Sequence, residues 1–312
     1  MTLTDPKKSL LALHQNMSQV IFGKKETLTL ALVTLLGRGH LLIEDVPGVG
    51  KTLLARSIAQ SIKGEFKRLQ CTPDLLPSDV TGVSVFDPQA RAFKFIPGPA
   101  FTNVLLADEI NRAPPRAQSS LLECMAEQQV TVDGQTHRLP ATFMVIATQN
   151  PIEFHGTYPL PEAQLDRFFM RIRVGYADTE AELKMVASQK HGHPIDTLQP
   201  VMGMDELAAL QRAVEDIRIA DDVGRYALAL VQATRDNPSL ALGASPRATL
   251  ALVRASQAFA LLKSEEFVTP QHVKQMARYV LPHRIIARSG ASSIQATEAI
   301  VDKIVGSVAV PV

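Results

Sequence analysis

The sequence predicts an α/β fold: a five-stranded, mainly parallel sheet with helices on both faces, two β-hairpin inserts and a C-terminal all-helical domain. Three observations predict it. Short apolar runs alternate with helix-like stretches through the first half, as in a parallel sheet whose crossovers are helices. A strand-like stretch at 40–44 runs into the glycine-rich Asp45-Val46-Pro47-Gly48-Val49-Gly50-Lys51-Thr52 and then a helix-like stretch at 53–62. From about Asp178 the strand-like runs vanish, and alanine- and leucine-rich helical periodicity takes over.

Taken in order, residues 7–20 and 25–36 read as helices, joined by Val20-Ile21-Phe22-Gly23-Lys24. The strand at 41–44 leads into the glycine-rich loop, and residues 65–71 read as a second strand. Residues 103–107 form a short buried strand running into Asp108-Glu109. Pro114-Pro115 opens a helix to about Gln128, because proline's missing N–H is not needed in a first turn. Residues 142–147 and 168–174 supply two further strands. Two hairpins interrupt the alternation, one over 82–95 around Asp87-Pro88-Gln89-Ala90 and one over 130–139 centred on Asp133-Gly134. These readings divide the chain into a core at 1–177, a linker at 178–204 and a helical lid at 205–312. Lid helices are expected at 205–218, 221–235, 246–263, 270–280 and 293–306, the last with Ile294, Ile300 and Ile304 in the lid core.

A length of 312 residues suits two domains. With 46% hydrophobic and 20% charged residues the chain reads as a soluble globular protein. Its 32 basic and 31 acidic residues leave a net charge of +1, so no overall field draws it to nucleic acid or membrane. Lys7-Lys8 and Lys24-Lys25 are too short for nucleic-acid patches, and no nucleic-acid partner is expected. No apolar run approaches the ~18 residues of a membrane span, and the N-terminus lacks a signal peptide's apolar stretch. The expectation is a cytoplasmic protein without direct membrane insertion. Cys71 and Cys124 lack metal-ligand spacing and read as reduced structural thiols. His191-Gly192-His193 has no third ligand nearby and reads as a turn rather than a metal site.

The chemistry concentrates in four places. In the glycine-rich loop, backbone N–H groups can turn inward on an anion at a helix N-terminus. There Lys51 would reach β- and γ-phosphates, and the Thr52 hydroxyl would ligate Mg²⁺. Asp45 stands where the general pattern has glycine, which predicts an altered turn or an altered nucleotide affinity. Asp108 and Glu109 follow an apolar strand, at the sheet edge where ligands bind. Phosphoryl transfer needs a metal holder and a water-orienting group, the roles read for Asp108 and Glu109 respectively. Asn150, after another apolar strand, could bond a γ-phosphate oxygen or the attacking water, although an asparagine opening a turn before Pro151 fits locally as well. Arg167 and Arg247 complete the set, since an arginine presented to a γ-phosphate contributes ~10³–10⁵ in rate. Locally, Arg167 could equally pair with Asp166 or Glu162, and Arg247 could be an ordinary helix arginine.

This ordered set resembles the MoxR group of AAA+ ATPases. The likeness is carried by the Walker-A loop, Leu105-Leu106-Ala107-Asp108-Glu109-Ile110-Asn111-Arg112-Ala113-Pro114-Pro115, Ala147-Thr148-Gln149-Asn150-Pro151, Glu162-Ala163-Gln164-Leu165-Asp166-Arg167-Phe168 and Ser245-Pro246-Arg247-Ala248. It runs from Ile21 to Arg284. The resemblance implies an AAA+ P-loop core with a helical lid, binding ATP and Mg²⁺ and forming a homo-oligomeric ring, usually a hexamer. By motif Asn150 is similar to sensor 1, Arg167 to an arginine finger acting on a neighbour's nucleotide, and Arg247 to sensor 2. The segment from Val20 to Gly23 would pack on adenine, and Gly23 would join Pro47, Gly48, Val49, Gly50, Lys51, Thr52 and Leu53 in holding ATP between core and lid. The hairpin at 82–95 resembles the helix-2 insert and that at 130–139 the hairpin before sensor 1, elements that tend to face the pore or surface and a client. Chaperone-like remodelling of protein clients is implied, proteins with von Willebrand factor A domains among them. The alternatives are the ATPase subunit of a metal-chelatase complex, a nucleic-acid motor and a nucleotide-gated scaffold.

Overall fold

The computed structural model describes residues 5–151, 156–188, 192–288 and 294–311. Helices α1 (Pro6–Ser18) and α2 (Lys25–Leu36) precede strand β1 (Leu41–Glu44), helix α3 (Lys51–Ser61) and strand β2 (Phe66–Gln70). A short helix α4 (Pro77–Thr81) leads into β3 (Gly82–Asp87) and β4 (Ala92–Pro97), followed by β5 (Val104–Asp108) and α5 (Pro115–Glu127). Then come β6 (Gln129–Val132), β7 (Gln135–Arg138), β8 (Met144–Gln149), α6 (Glu162–Leu165) and β9 (Met170–Ile172).

The main sheet runs β2-β5-β8-β1-β9, with every pairing parallel. Its central strands β1, β5 and β8 read as near-continuous apolar runs because helices cover both faces, whereas β2 at the edge reads Phe66-Lys67-Arg68-Leu69-Gln70. Side chains alternate with period two: Leu41, Ile43, Val104, Leu106, Met144 and Ile146 enter one core with α1, α2 and α3. Leu42, Leu105, Ala107, Val145 and Ala147 enter the other core, with α5. The arrangement brings the carboxyl ends of β1, β5 and β8, and with them the phosphate loop, Asp108-Glu109 and Asn150, to one edge.

Neither hairpin extends that sheet; β3–β4 and β6–β7 are separate antiparallel pairs. Asp133 and Gly134 both take positive φ, as a two-residue turn matched to strand twist requires. The hairpins meet where the Phe95 ring stacks on His137, centroids 4.0 Å apart.

Two helices, α7 (Thr179–Ser188) and α8 (Pro194–Thr197), occupy the segment read as linker. His193 caps α8, its Nδ1 accepting the Ile195 N–H at 3.5 Å; His191 lies outside the described residues. Beyond them lie α9 (Met204–Asp216), α10 (Asp221–Arg235), β10 (Leu240–Leu242), α11 (Pro246–Leu262), α12 (Pro270–Val280), β11 (Ile286–Ala287) and α13 (Ile294–Ser307). The β10–β11 ribbon is an addition to the helical reading, too short for periodicity to reveal. The helical part shares its core with the N-terminal helices: Leu28 and Leu32 of α2 join Leu210, Leu252 and Phe259. The Gln211 amide also donates to the Leu35 carbonyl at 2.7 Å. Among the described residues no helix is long and apolar enough to cross a membrane.

Candidate functional site

In the loop between β1 and α3, Gly48 and Gly50 take φ of +85° and +90°, and nothing lies within 4 Å of where a Cβ would stand. Backbone conformation, not crowding, calls for glycine there, and the open space is what an anion needs. Asp45 departs from the general pattern without cost to the turn, because it is not among the residues of positive φ. Its N–H continues the ladder by donating to the Gln149 carbonyl at 3.1 Å. Its carboxylate is buried and accepts three backbone N–H groups: Val46 at 2.8 Å, Val174 at 2.7 Å and Gly175 at 2.6 Å. The side chain ties the loop to the segment that follows β9. Lys51 Nζ donates to the Asp45 carbonyl at 2.8 Å.

At the end of β5, Asp108 Oδ1 accepts the Thr148 hydroxyl at 2.7 Å, and Oδ2 accepts Arg68 Nη2 at 2.6 Å and Nε at 3.1 Å. Glu109 sits in the left-handed region at φ 59°, unusual for a residue with a Cβ. Its N–H donates to the same Thr148 hydroxyl at 2.8 Å. Glu109 Oε2 accepts Gln70 Nε2 at 3.2 Å and an Arg112 guanidinium N–H at 3.1 Å. One fully buried hydroxyl thus fixes both acidic residues. Thr148 lies inside the Ala147-Thr148-Gln149-Asn150 cluster, so its polar place at the end of an apolar strand was a usable signal. Arg68 gave none.

Pro47, Gly48, Gly50, Lys51, Thr52, Leu53, Asp108, Glu109 and Asn150 line one cavity of about 480 Å³. A neighbouring cavity of about 350 Å³ shares Gly48, Gly50, Leu53 and Phe22 with it and adds Val49 and Ile21. Its walls turn apolar toward Val20, Met185 and Val186. Gly23 lines neither: at φ +70° it lies under α7, where an added Cβ would stand 2.6 Å from the Ala181 Cβ. Val20, Ile21 and Phe22 face the space instead. Helix α7 and the segment at 193–194, which the sequence presents only as linker, supply Met185, Ser188, His193 and Pro194 to the wall.

Arg167 and Arg247 are not at this cavity. They share a separate pocket of about 350 Å³ with Arg38, Arg254 and Arg284, and none of its lining residues belongs to the phosphate-loop cavity. Asp166 brings the two arginines together: Oδ2 accepts the Ser245 hydroxyl at 3.0 Å and Oδ1 accepts Arg284 Nε at 2.9 Å. Arg284 is buried and also donates to the Phe168 and Phe169 carbonyls; burial pulls its pKa down to about 10, against the pull of Asp166. Arg167 donates to the Leu122 carbonyl at 2.7 Å rather than pairing with Asp166 or Glu162. Arg247 thus lies beside Arg167, away from the phosphate-loop cavity of its own chain.

Burial, with the charges of Asp108 and Glu109 behind it, pushes the Cys71 thiol up to about 12; burial and Glu123 do the same for Cys124. Both stay protonated at neutral pH, which removes thiolate chemistry. The cavity does suit a divalent cation held with its nucleotide. Thr52 and Asp108 offer a hydroxyl and a carboxylate, hard oxygen donors, beside Lys51. No group of three or more His, Cys, Asp or Glu among the described residues could hold a metal alone.

Comparison with known proteins bears on the same residues. A family profile described as "ATPase family associated with various cellular activities (AAA)" matches residues 40–170, and one described as "AAA lid domain" matches residues 232–304. The uncharacterized protein YeaC of Bacillus subtilis is 49% identical over 96% of this chain and 93% of its own. Chaperone MoxR1 of Mycobacterium tuberculosis is 37% identical over 95% of this chain and 80% of its own. The crystal structure of a provisionally assigned ATPase from Cytophaga hutchinsonii superposes with a TM-score of 0.89. It is 35% identical and covers 98% of this chain and 96% of that one.

Proposed function

This chain belongs to the MoxR family of AAA ATPases, and from that premise we propose how its residues hydrolyse ATP and what the cycle drives. The observation that carries the reading is the meeting of Lys51, Thr52, Asp108, Glu109 and Asn150 on one cavity, although they come from three separate strand ends. The loop amides and Lys51 bind the phosphates, and the apolar wall of Val20, Phe22 and Met185 receives the base. Thr52 and Asp108 hold Mg²⁺, which when bound neutralises phosphate charge. For Asp108 to do so, Arg68 gives up its bond to Oδ2. Glu109 orients the attacking water, and Asn150 bonds the γ-phosphate or that water.

The one arginine among the cavity's described lining residues, Arg68, is engaged by Asp108, while Arg167 and Arg247 line another pocket. In a ring of like subunits built through a head-to-tail interface, that arginine pocket faces the next subunit's cavity and supplies both. Six subunits is the number we propose. Its clients are proteins, and a von Willebrand factor A domain is the partner class we favour, with the protein acting in the cytoplasm. The exposed β3–β4 hairpin, with Phe86 50% and Phe93 74% exposed, is the surface we propose for client contact.

Subunit mixing tests the shared site. Lys51→Ala and Arg167→Ala are each expected to be inactive, and an equal mixture regains roughly a quarter of the sites, those that pair an intact loop with an intact arginine. No recovery, together with a parental rate independent of protein concentration, refutes the ring. The client is sought by capture on Glu109→Gln with ATP, against Lys51→Ala, with and without nuclease. A protein held only by the former supports remodelling. A chelatase-type subunit points to that alternative, and capture lost on nuclease treatment points to nucleic acid.

A further inference from the structure

The phosphate-loop cavity has a wall with little packing of its own. In α7 only Ala181 is buried, while Leu183 and Val186 are 60% and 71% exposed. Yet Met185 and Ser188 face the cavity from this helix. What places such a helix must be a small number of directed contacts. Three are present. Asp178 caps it, its Oδ1 accepting the Ala181 N–H at 2.8 Å. Lys24 Nζ donates to the Tyr176 carbonyl just ahead of it. The Asp45 carboxylate takes the N–H groups of Val174 and Gly175 at 2.7 and 2.6 Å.

The third contact differs from the others because its acceptor belongs to the phosphate loop. Asp45 Oδ1 holds the Val46 N–H within that loop, while Oδ2 holds the strap that turns at Gly175, φ +65°, into α7. The carboxylate is buried and its donors are backbone amides from two segments about 130 residues apart in sequence. Hydrogen bonds to an ionised acceptor are the strong ones. A glycine at this position, as in the general phosphate-loop pattern, would leave loop and wall without this link.

We propose that Asp45 is a positioning residue for the nucleotide: it locks the phosphate loop to the base-side wall, so that ATP meets both in one fixed geometry. The proposal rests on the reading of this cavity as the ATP site. Phosphate recognition by the loop amides and Lys51 does not pass through the clamp; base recognition by α7 does.

The test uses the full chain with Asp45→Gly. In nucleotide-free protein, hydrogen exchange at the Val174 and Gly175 amides and through α7 is expected to quicken, while that of β1 and β8 holds. The dissociation constant and KM for ATP rise about tenfold, the scale of one lost hydrogen bond to a charged group, and kcat changes by a smaller factor. Tripolyphosphate, which carries no base, binds the variant within about twofold of the parent. Asp45→Asn is the second variant, for use if glycine unfolds the protein. Either orientation of its amide sets an N–H against a backbone N–H, so it weakens ATP in the same direction by a smaller factor and spares tripolyphosphate. Equal weakening of ATP and tripolyphosphate overturns the proposal, because Asp45 then serves the loop alone; unchanged exchange in α7 overturns it too. If ATP binds Lys51→Ala as well as it binds the parent, the cavity reading itself has failed, whereas the exchange experiment judges the clamp without nucleotide.

Discussion

Thr148→Val is the perturbation on which the acidic pair's geometry can be judged. Valine keeps threonine's shape and sets a methyl where the hydroxyl stood, so the hydrogen bonds are lost without a cavity. That hydroxyl is fully buried, donates to Asp108 Oδ1 at 2.7 Å and accepts the Glu109 N–H at 2.8 Å. Loss of a hydrogen bond to a charged acceptor costs about 1.5–3 kcal/mol, and stranding a buried N–H costs about 1–3 kcal/mol more. Glu109 lies partly open to solvent, which puts the second term at its low end. The sum is about 2.5–4 kcal/mol, or a fall in thermal midpoint of about 4–6 °C for a chain of this size.

Turnover should fall further than stability suggests. Glu109 holds a left-handed backbone that costs about 1–2 kcal/mol, and the Thr148 hydroxyl is the side-chain acceptor that keeps its N–H in place. Released, the Glu109 carboxylate can move by about 1 Å, a displacement worth about 10² in rate. The assay is steady-state ATP hydrolysis at saturating ATP beside thermal unfolding, with Thr148→Ser as the control that keeps the hydroxyl. Serine should hold turnover within a few-fold of the parent. A valine variant within about 2 °C and threefold of the parent would refute the bridging role.

Three further outcomes follow from the same geometry. Glu109→Gln should retain ATP binding by equilibrium titration while hydrolysis falls by about 10² or more, the range of a lost general base. Gly23→Ala sets a Cβ 2.6 Å from that of Ala181 at φ +70°, and should cost about 1–3 kcal/mol and raise the KM for ATP; adding Ala181→Gly removes the clash, and a double variant no better than the single one shows that α7 is not what moves. His40 donates through Nε2 to the Met125 carbonyl and accepts the Val145 N–H at Nδ1, so only its neutral form fits, and burial pulls its pKa down to about 4. A pKa lowered from about 6.5 on folding gives about 3 kcal/mol that is complete above pH 6.5 and is lost as pH falls toward 4; denaturant unfolding from pH 7 to 4 should show a slope that His40→Gln lacks.

Much of this molecule was legible because its chemistry is local. A strand, a glycine-rich turn and a helix are contiguous, so Gly48 to Thr52 could be read directly, and apolar runs marked the three central strands β1, β5 and β8 of the parallel sheet. Asp133-Gly134 announced its hairpin through the backbone conformation that those two residues tolerate. What escaped is carried by small polar side chains whose partners are remote: Asp45 on Val174 and Gly175, Thr148 on Asp108 and Glu109, Asp166 on Ser245 and Arg284. Periodicity records burial, and a buried carboxylate looks the same in a sequence whether it holds a metal, a loop or a distant amide. Arg247 makes the point most sharply. Motif order puts it at the nucleotide, yet the Asp166–Ser245 hydrogen bond, which spans 79 positions, draws the start of α11 to the pocket of Arg167. In the proposed ring Arg247 serves a neighbour's nucleotide, and the pattern of a single chain carries no mark of which subunit's nucleotide a motif serves.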